Sequence, residues 1–211
     1  MSSRVDRAHS RIRILDAALA LIIKRGGADV TMAEIASAAR MSRQAVYLHF
    51  SDRAQLLLEL VRHADELRNL ASEVKKIIEA QDGVTAVQLM VAMQARMNPG
   101  VWAVARAFDV VRRRDRAAQR SWQDRHQNRL MGCRQMVARL ADEGLLRRGL
   151  QTEAAADLLW TLTSLSTWEQ LVIERGWSAA EYRERVTALV VSALIGASGG
   201  AARSRGTPQT S

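Results

Sequence analysis

Residues 31–53 read TMAEIASAARMSRQAVYLHFSDR. Thr31 stands where an N-cap would, with Glu34 three residues on. At that spacing each side chain can satisfy a backbone N–H that the first turn leaves unpaired. Val30 just outside and Ile35 just inside supply the accompanying hydrophobic staple. A dozen residues later the signals return, with Ser42 to cap a second helix and Met41 and Val46 placed as its staple. Val46 and Phe50 lie four apart and share a face. At about 3.6 residues per turn, Gln44, Tyr47 and Leu48 point away from that face, flanked by Arg43 and Ala45. The outward side therefore carries a guanidinium, an amide and a phenol but no carboxylate. Such groups hydrogen-bond base edges and phosphates in a major groove. Two short helices joined by a tight turn make a helix-turn-helix. Base readout would fall to Arg43, Gln44 and Ala45, glutamine being suited to adenine and arginine to guanine.

Working outward, Ile12, Leu15, Leu19 and Ile22 form an amphipathic stripe that predicts a first helix over about residues 10–25. Gly26-Gly27 would end it. Residues 1–9 are polar and expected to be loose, with Arg4 and Arg7 able to sample a phosphate or the minor groove. The three helices would form a small bundle that holds the third rigidly. Ser51-Asp52 open a fourth helix, expected to run to about Ala80 and to bury Leu56, Leu60, Leu67, Leu70, Val74 and one of Ile77 or Ile78. Arg53 falls in its first turn, where a positive charge opposes the helix dipole and a phosphate partner would suit it.

The run T-x-x-E-I-A-x-A-A-x-x-S-x-x-A-V-Y-x-H-F, followed by Arg53 and Leu56, resembles the DNA-binding domain of the TetR family of transcriptional regulators. The likeness is dense from Ile12 to Leu57. It implies phosphate contacts from Thr31, Ser42, Tyr47, His49 and Arg53. Members of that family often carry glycine in the turn where this chain has Arg40. If that position is left-handed, a residue with a Cβ costs roughly 1–2 kcal/mol there.

The chain has 211 residues, 48% of them hydrophobic, enough for one or two small cores. Its net charge of +9 favours polyanionic partners. The charge is not concentrated in the candidate reader, because residues 1–53 hold nine Lys/Arg against five Asp/Glu. The single cysteine, Cys133, excludes an internal disulfide and reads as a buried, inert thiol. No apolar run approaches the roughly 18–20 residues that span a bilayer, and the opening residues lack the apolar core of a signal peptide. A cytoplasmic protein with no membrane contact is expected.

With two prolines, Pro99 and Pro208, and no sustained strand alternation, an all-α protein of about nine helices is predicted. Residues 1–52 would be the helix-turn-helix domain, 53–196 an effector-binding and dimerisation domain, and 197–211 a disordered tail. Beyond the fourth helix, the expected segments are 84–97, one starting at Asn98-Pro99, then 115–143, 152–175 and 178–195. The last two are apolar on more than one side, so each needs covering on two faces. The family resemblance implies a four-helix bundle about a two-fold axis, with Leu158, Leu162, Leu165, Val186, Leu189 and Val190 at the interface. Such a dimer would set two reading helices roughly 34–36 Å apart over a palindromic site.

All five tryptophans lie beyond residue 100. Met93, Met97, Trp102, Phe108, Trp122 and Trp168, with His126 and Ser164 as polar neighbours, describe a ligand pocket or an ordinary core. The resemblance implies a small-molecule effector bound there that repositions the fourth helix. The four histidines have no metal-ligand spacing, and no glycine-rich phosphate loop occurs, so no catalytic site, metal or cofactor is expected. Two functions follow. One is a homodimeric repressor released from its operator by a small molecule. The other is a helical protein-interaction regulator that has lost sequence-specific reading, a role for which Arg40 and Leu48 leave room.

Overall fold

The computed structural model describes residues 2–27 and 30–196. Among them the chain forms ten α-helices: α1 (Ser2–Lys24), α2 (Met32–Ala38), α3 (Arg43–Tyr47), α4 (Arg53–Leu67), α5 (Leu70–Ile78), α6 (Gly83–Arg112), α7 (Arg116–Asp142), α8 (Thr152–Leu162), α9 (Leu165–Trp168) and α10 (Ala179–Leu194). A π-helical turn, Glu169–Glu174, extends α9. One isolated antiparallel bridge joins Leu146 to Ile195. No described helix is long and apolar enough to cross a membrane. The segment 197–211, read as a tail, lies outside the described residues.

α1, α2 and α3 pack together, and α4 leads from them to α6, which touches α1, α4, α5, α7, α9 and α10. A single apolar core runs from Ile14, Ile35 and Phe50 through Leu56 and Leu60 into Val91, Trp102 and Phe108. Helices α1 to α3 are thereby seated on the same packed interior as the larger half, and α4 is the shared wall.

Four boundaries differ from the sequence expectation, each for a physical reason. Helix α1 begins at Ser2 rather than near Ser10. Arg7 and Arg11 in its first half donate to the carbonyls of Leu48 and His49, at 3.4 and 3.0 Å, so this end has tertiary partners. The expected fourth helix breaks into α4 and α5 at Asn69, which takes a left-handed φ of 52°. The break changes which side is buried, leaving Leu67 58% and Val74 39% exposed while Leu56, Leu60 and Ile77 stay buried.

Helices expected to separate at Asn98-Pro99 are instead one 30-residue helix, α6. Pro99 is exposed while Ala95, Asn98, Trp102 and Ala103 around it are buried. Burial on both sides of the proline outweighs the lost hydrogen bond, which alone would cost about 3 kcal/mol. The segment 152–175 conversely breaks at Thr163-Ser164. Thr163 Oγ1 donates to the Leu159 carbonyl at 2.6 Å, and Ser164 Oγ accepts from the Thr167 N–H at 3.0 Å. These hydroxyls compete with the helical ladder and restart it.

Candidate nucleic-acid interface and effector core

Thr31 and Glu34 form the capping box. Thr31 N–H donates to Glu34 Oε2 at 2.8 Å, and Glu34 N–H donates to Thr31 Oγ1 at 3.3 Å. Arg25 reaches the same carboxylate at 2.7 Å. The Arg25 guanidinium, then the Thr31 donors, hold the Glu34 carboxyl down to about 2. The start of α2 is therefore tied to the end of α1.

At its other end, α2 closes through Arg40, whose φ is 53°. Arg40 N–H donates to Ser37 O at 3.0 Å and Met41 N–H to Ala36 O at 2.9 Å. This is the Schellman pattern, with arginine in the place glycine usually takes. Arg40→Gly removes the left-handed penalty of about 1–2 kcal/mol and returns part of it as unfolded-state entropy. A net gain of roughly 0.5–1 kcal/mol in urea unfolding is expected. A loss would show that the Arg40 side chain itself holds the turn.

Ser42 caps α3 by accepting from the Ala45 N–H at 3.1 Å. Val46 and Phe50 are fully buried, whereas Arg43, Gln44 and Tyr47 are exposed and Ala45 is half-buried. Leu48, at 71% exposure, belongs to the same outward surface. Thr31 and Ser42 are exposed at the starts of their helices, and Arg53 is half-buried in the first turn of α4. That turn is fixed by Asp52, which accepts from the Gln55 N–H at 2.8 Å. His49 is half-buried, and burial followed by the nearby Arg7 and Arg11 pushes its pKa down. It is thus a neutral ring at neutral pH.

Two residues beyond the sequence motif complete this surface. Arg11 donates to His49 O, lies 4.5 Å over the Phe50 ring and pairs with Glu59 at 3.3 Å. Arg7, Ser10, Asp6, Leu48 and His49 line an open cleft of about 420 Å³ beside α3. Arg7 had a sequence signal as an N-terminal cation. Arg11 had none, because its role depends on α3 being brought back across α1.

In the larger half the pocket candidates separate into groups. Phe108, Trp122 and His126 do come together, with ring centroids 6.0 and 4.8 Å apart, and Trp160 continues the series 5.9 Å beyond His126. Trp168 is buried against Tyr182 at 4.8 Å. Trp102 lies elsewhere, its ring near Gly26 of the α1 end and under Arg106. Met97 is buried and Met93 half-buried on α6, and Ser164 serves as the cap of α9. Six buried polar side-chain atoms here have no hydrogen-bond partner among the described residues. They are Gln94 Oε1, Asn98 Nδ2, the indole N–H groups of Trp102, Trp160 and Trp168, and the Tyr182 hydroxyl. A buried donor or acceptor left so costs about 1–3 kcal/mol.

Arg129, Trp160 and Tyr182 lie beside the aromatic series without being among the residues that the sequence singles out. A signal existed, since Trp122, His126, Arg129 and Cys133 step by four, three and four along α7. Of the six interface candidates, Val186 and Val190 turn into the protomer's own core, 2% and 0% exposed. Leu162 and Leu165 are half-buried, and Leu158 and Leu189 are 41% and 50% exposed. The Tyr182–Val186–Val190–Leu194 stripe of α10 faces inward, which leaves the Leu189 side outside.

An exposed short helix on a three-helix head, carried by an all-helical body, defines a helix-turn-helix fold. The profile of bacterial regulatory proteins of the tetR family matches residues 14–60. Over those residues the chain is similar to that family, and the match covers under a quarter of its 211 residues. It is 31% identical over 88 residues to the HTH-type transcriptional regulator TtgR of Pseudomonas putida, a match covering 42% of this chain and 40% of TtgR. The chain thus matches less than half the length of that relative. A protein of Saccharomonospora viridis described as a transcriptional regulator, solved in complex with choline, shares the fold. Its TM-score is 0.76 at 20% identity, over 90% of this chain and 100% of that one. AibR in complex with isovaleryl coenzyme A and operator DNA superposes with a TM-score of 0.67 at 17% identity, over 86% of this chain and 98% of that one.

Proposed function

We propose that this chain is a homodimeric transcriptional repressor that binds a palindromic operator and is released by a small-molecule effector. Residues 1–52 form the reading head, and residues 53–196 bind the effector and dimerise. The reading rests on one observation above all: Arg43, Gln44 and Tyr47 project into solvent from a helix whose inner residue Val46, with Phe50 in the turn that follows, is completely buried. A helix presented so is rigid behind and hydrogen-bonding in front. Leu158 and Leu189 are the exposed apolar groups on α8 and α10 that a second copy would cover. Support for the effector comes from the orphaned donors of the larger half and from a fold that holds small molecules in AibR and in the Saccharomonospora protein.

The test is a gel-shift titration with DNA flanking the chain's own gene at two salt concentrations. A sequence-specific complex with steep salt dependence is expected. A chain that shifts no DNA even at low salt would favour the protein-interaction role, for which the exposed Leu48 is suited. Within a specific complex, Gln44→Ala should relax preference at one base pair, costing roughly 1–3 kcal/mol there. Tyr47→Phe should instead weaken binding to all sequences alike. Equal losses on specific and random DNA for Gln44→Ala would contradict the base-reading role.

A further inference from the structure

The arginines around the aromatic series differ in one respect. Arg112 Nε is 2.6 Å from Asp109, Arg125 is 2.7 Å from Asp65, and Arg134 is 2.9 Å from Glu153. Arg129 stands among them on α7 without a carboxylate partner among the described residues. Its Nη2 donates to the Trp160 carbonyl and, at 2.9 Å, to Thr163 Oγ1, and its guanidinium lies 5.2 Å from the Trp160 ring centre. Those contacts are all to neutral groups, and they leave Nε and Nη1 uncommitted. A half-buried guanidinium normally keeps a counter-charge, because taking it from water unpaired is unfavourable.

The surroundings add polar groups but no anion among the described residues. The Tyr182 hydroxyl and the Trp160 and Trp168 indole N–H groups are buried and without partners. Burial pushes the Tyr182 phenol up to about 12, with the neighbouring Arg129 opposing, so it remains a neutral O–H donor. Burial raises the Cys133 thiol in the same way, so it supplies no thiolate to balance Arg129. We infer that Arg129, Tyr182 and Trp160 form the acceptor-seeking end of the effector site, and that the effector class is a small organic carboxylate with a flat apolar body. The inference rests on the effector-binding role proposed above.

The class follows from charge and shape. A guanidinium without a counter-charge balances a monoanion, and with Nη2 already donating to Trp160 and Thr163 it offers a carboxylate single charge-assisted N–H bonds from Nε or Nη1. A phosphate dianion would require a second free cation, and Arg112 and Arg125 are already paired. A quaternary ammonium is disfavoured, because Arg112 and Arg129 already sit over the faces of Trp122 and Trp160, 5.0 and 5.2 Å from their centres. The tilted rings of Trp122, His126 and Trp160, with His126 exposed, offer a flat molecule a surface that leads from solvent toward Arg129.

The experiment is isothermal titration of the full chain with 1-naphthoate, and with 1-naphthamide, 1-naphthyl phosphate and choline as contrasts. Naphthoate should bind the unaltered protein at least tenfold more tightly than each of the others. Arg129→Gln should remove that advantage, Arg129→Lys should restore part of it, and Tyr182→Phe should weaken naphthoate several-fold. The last variant deletes a single hydroxyl oxygen and serves if Arg129→Gln loses its helical circular dichroism.

Equal affinity for naphthoate and naphthamide, or full naphthoate affinity in Arg129→Gln, overturns the inference. So does absence of naphthoate binding together with a shift of sedimentation toward monomer in Arg129→Gln, which would mean that a second copy supplies the missing carboxylate. A parallel gel shift keeps the two readings apart. DNA binding without naphthoate binding refutes only the ligand class. Naphthoate binding that leaves the DNA complex intact refutes only release by the effector.

Discussion

Phe50→Ala is expected to destabilise the reading head by about 3–5 kcal/mol, the range for deleting a fully buried phenylalanine ring. Phe50 is 0% exposed, lies under the Arg11 guanidinium, and its N–H closes the turn after α3 on the Val46 carbonyl at 3.0 Å. Removing the ring takes away the apolar anchor of α3 and the platform that holds Arg11 against His49. Operator binding should fall with stability, because Arg43, Gln44 and Tyr47 would no longer be held in one frame. The measurement is urea unfolding followed by two signals. Every tryptophan lies beyond residue 100, so indole fluorescence reports the larger half while circular dichroism reports the whole chain. The helical signal should begin to fall at lower urea than the fluorescence. A destabilisation under about 1 kcal/mol would mean that α3 is held by something other than this ring.

Gly27→Ala should have the second largest effect, at the joint between the reading head and the larger half. Gly27 has a φ of 78°, and a Cβ there would lie 2.6 Å from the Ala103 carbonyl oxygen and 2.6 Å from Arg106 Cβ. Two penalties combine: roughly 1–2 kcal/mol for a left-handed alanine and about 1–3 kcal/mol for forcing α1 away from α6. The backbone of α6 is buried on this side and cannot give way as a flexible side chain would. Gly144→Ala is the control. Its φ of 68° is similar, but no atom lies within 4 Å of the added carbon, so only the first penalty applies. Thermal denaturation should show a clearly larger drop in Tm for the Gly27 variant. Equal drops would show that the α1–α6 contact yields without cost and that the joint is loose.

The reading head was legible because its determinants are local. A capping box needs two residues three apart, a Schellman turn needs six consecutive ones, and a buried pair on a helix needs a spacing of four. Thr31, Glu34, Ser42, Val46 and Phe50 meet those conditions within one short stretch, and the structure realises each of them. Arg40 illustrates the same point from the other side. The turn geometry demands a left-handed residue, and the chain accepts an arginine there because the two flanking helices are already tied down.

The larger half was legible in class and not in detail. Its stripes announced helices, but where helices join or break depends on neighbours far away in the chain. Pro99 lies within α6 because apolar partners from several helices cover the residues around it. Ser164 starts a new helix partly because Arg129 takes the Trp160 carbonyl that would have continued α8. The exposure of Leu189 and the burial of Val190 were set by which side of α10 met α6. Short-range spacing thus wrote the helix-turn-helix into the chain order. The aromatic series, the unpaired guanidinium of Arg129 and the joint at Gly27 arose from long-range packing, because charge balance and close approach are properties of what surrounds a residue and not of its neighbours in line.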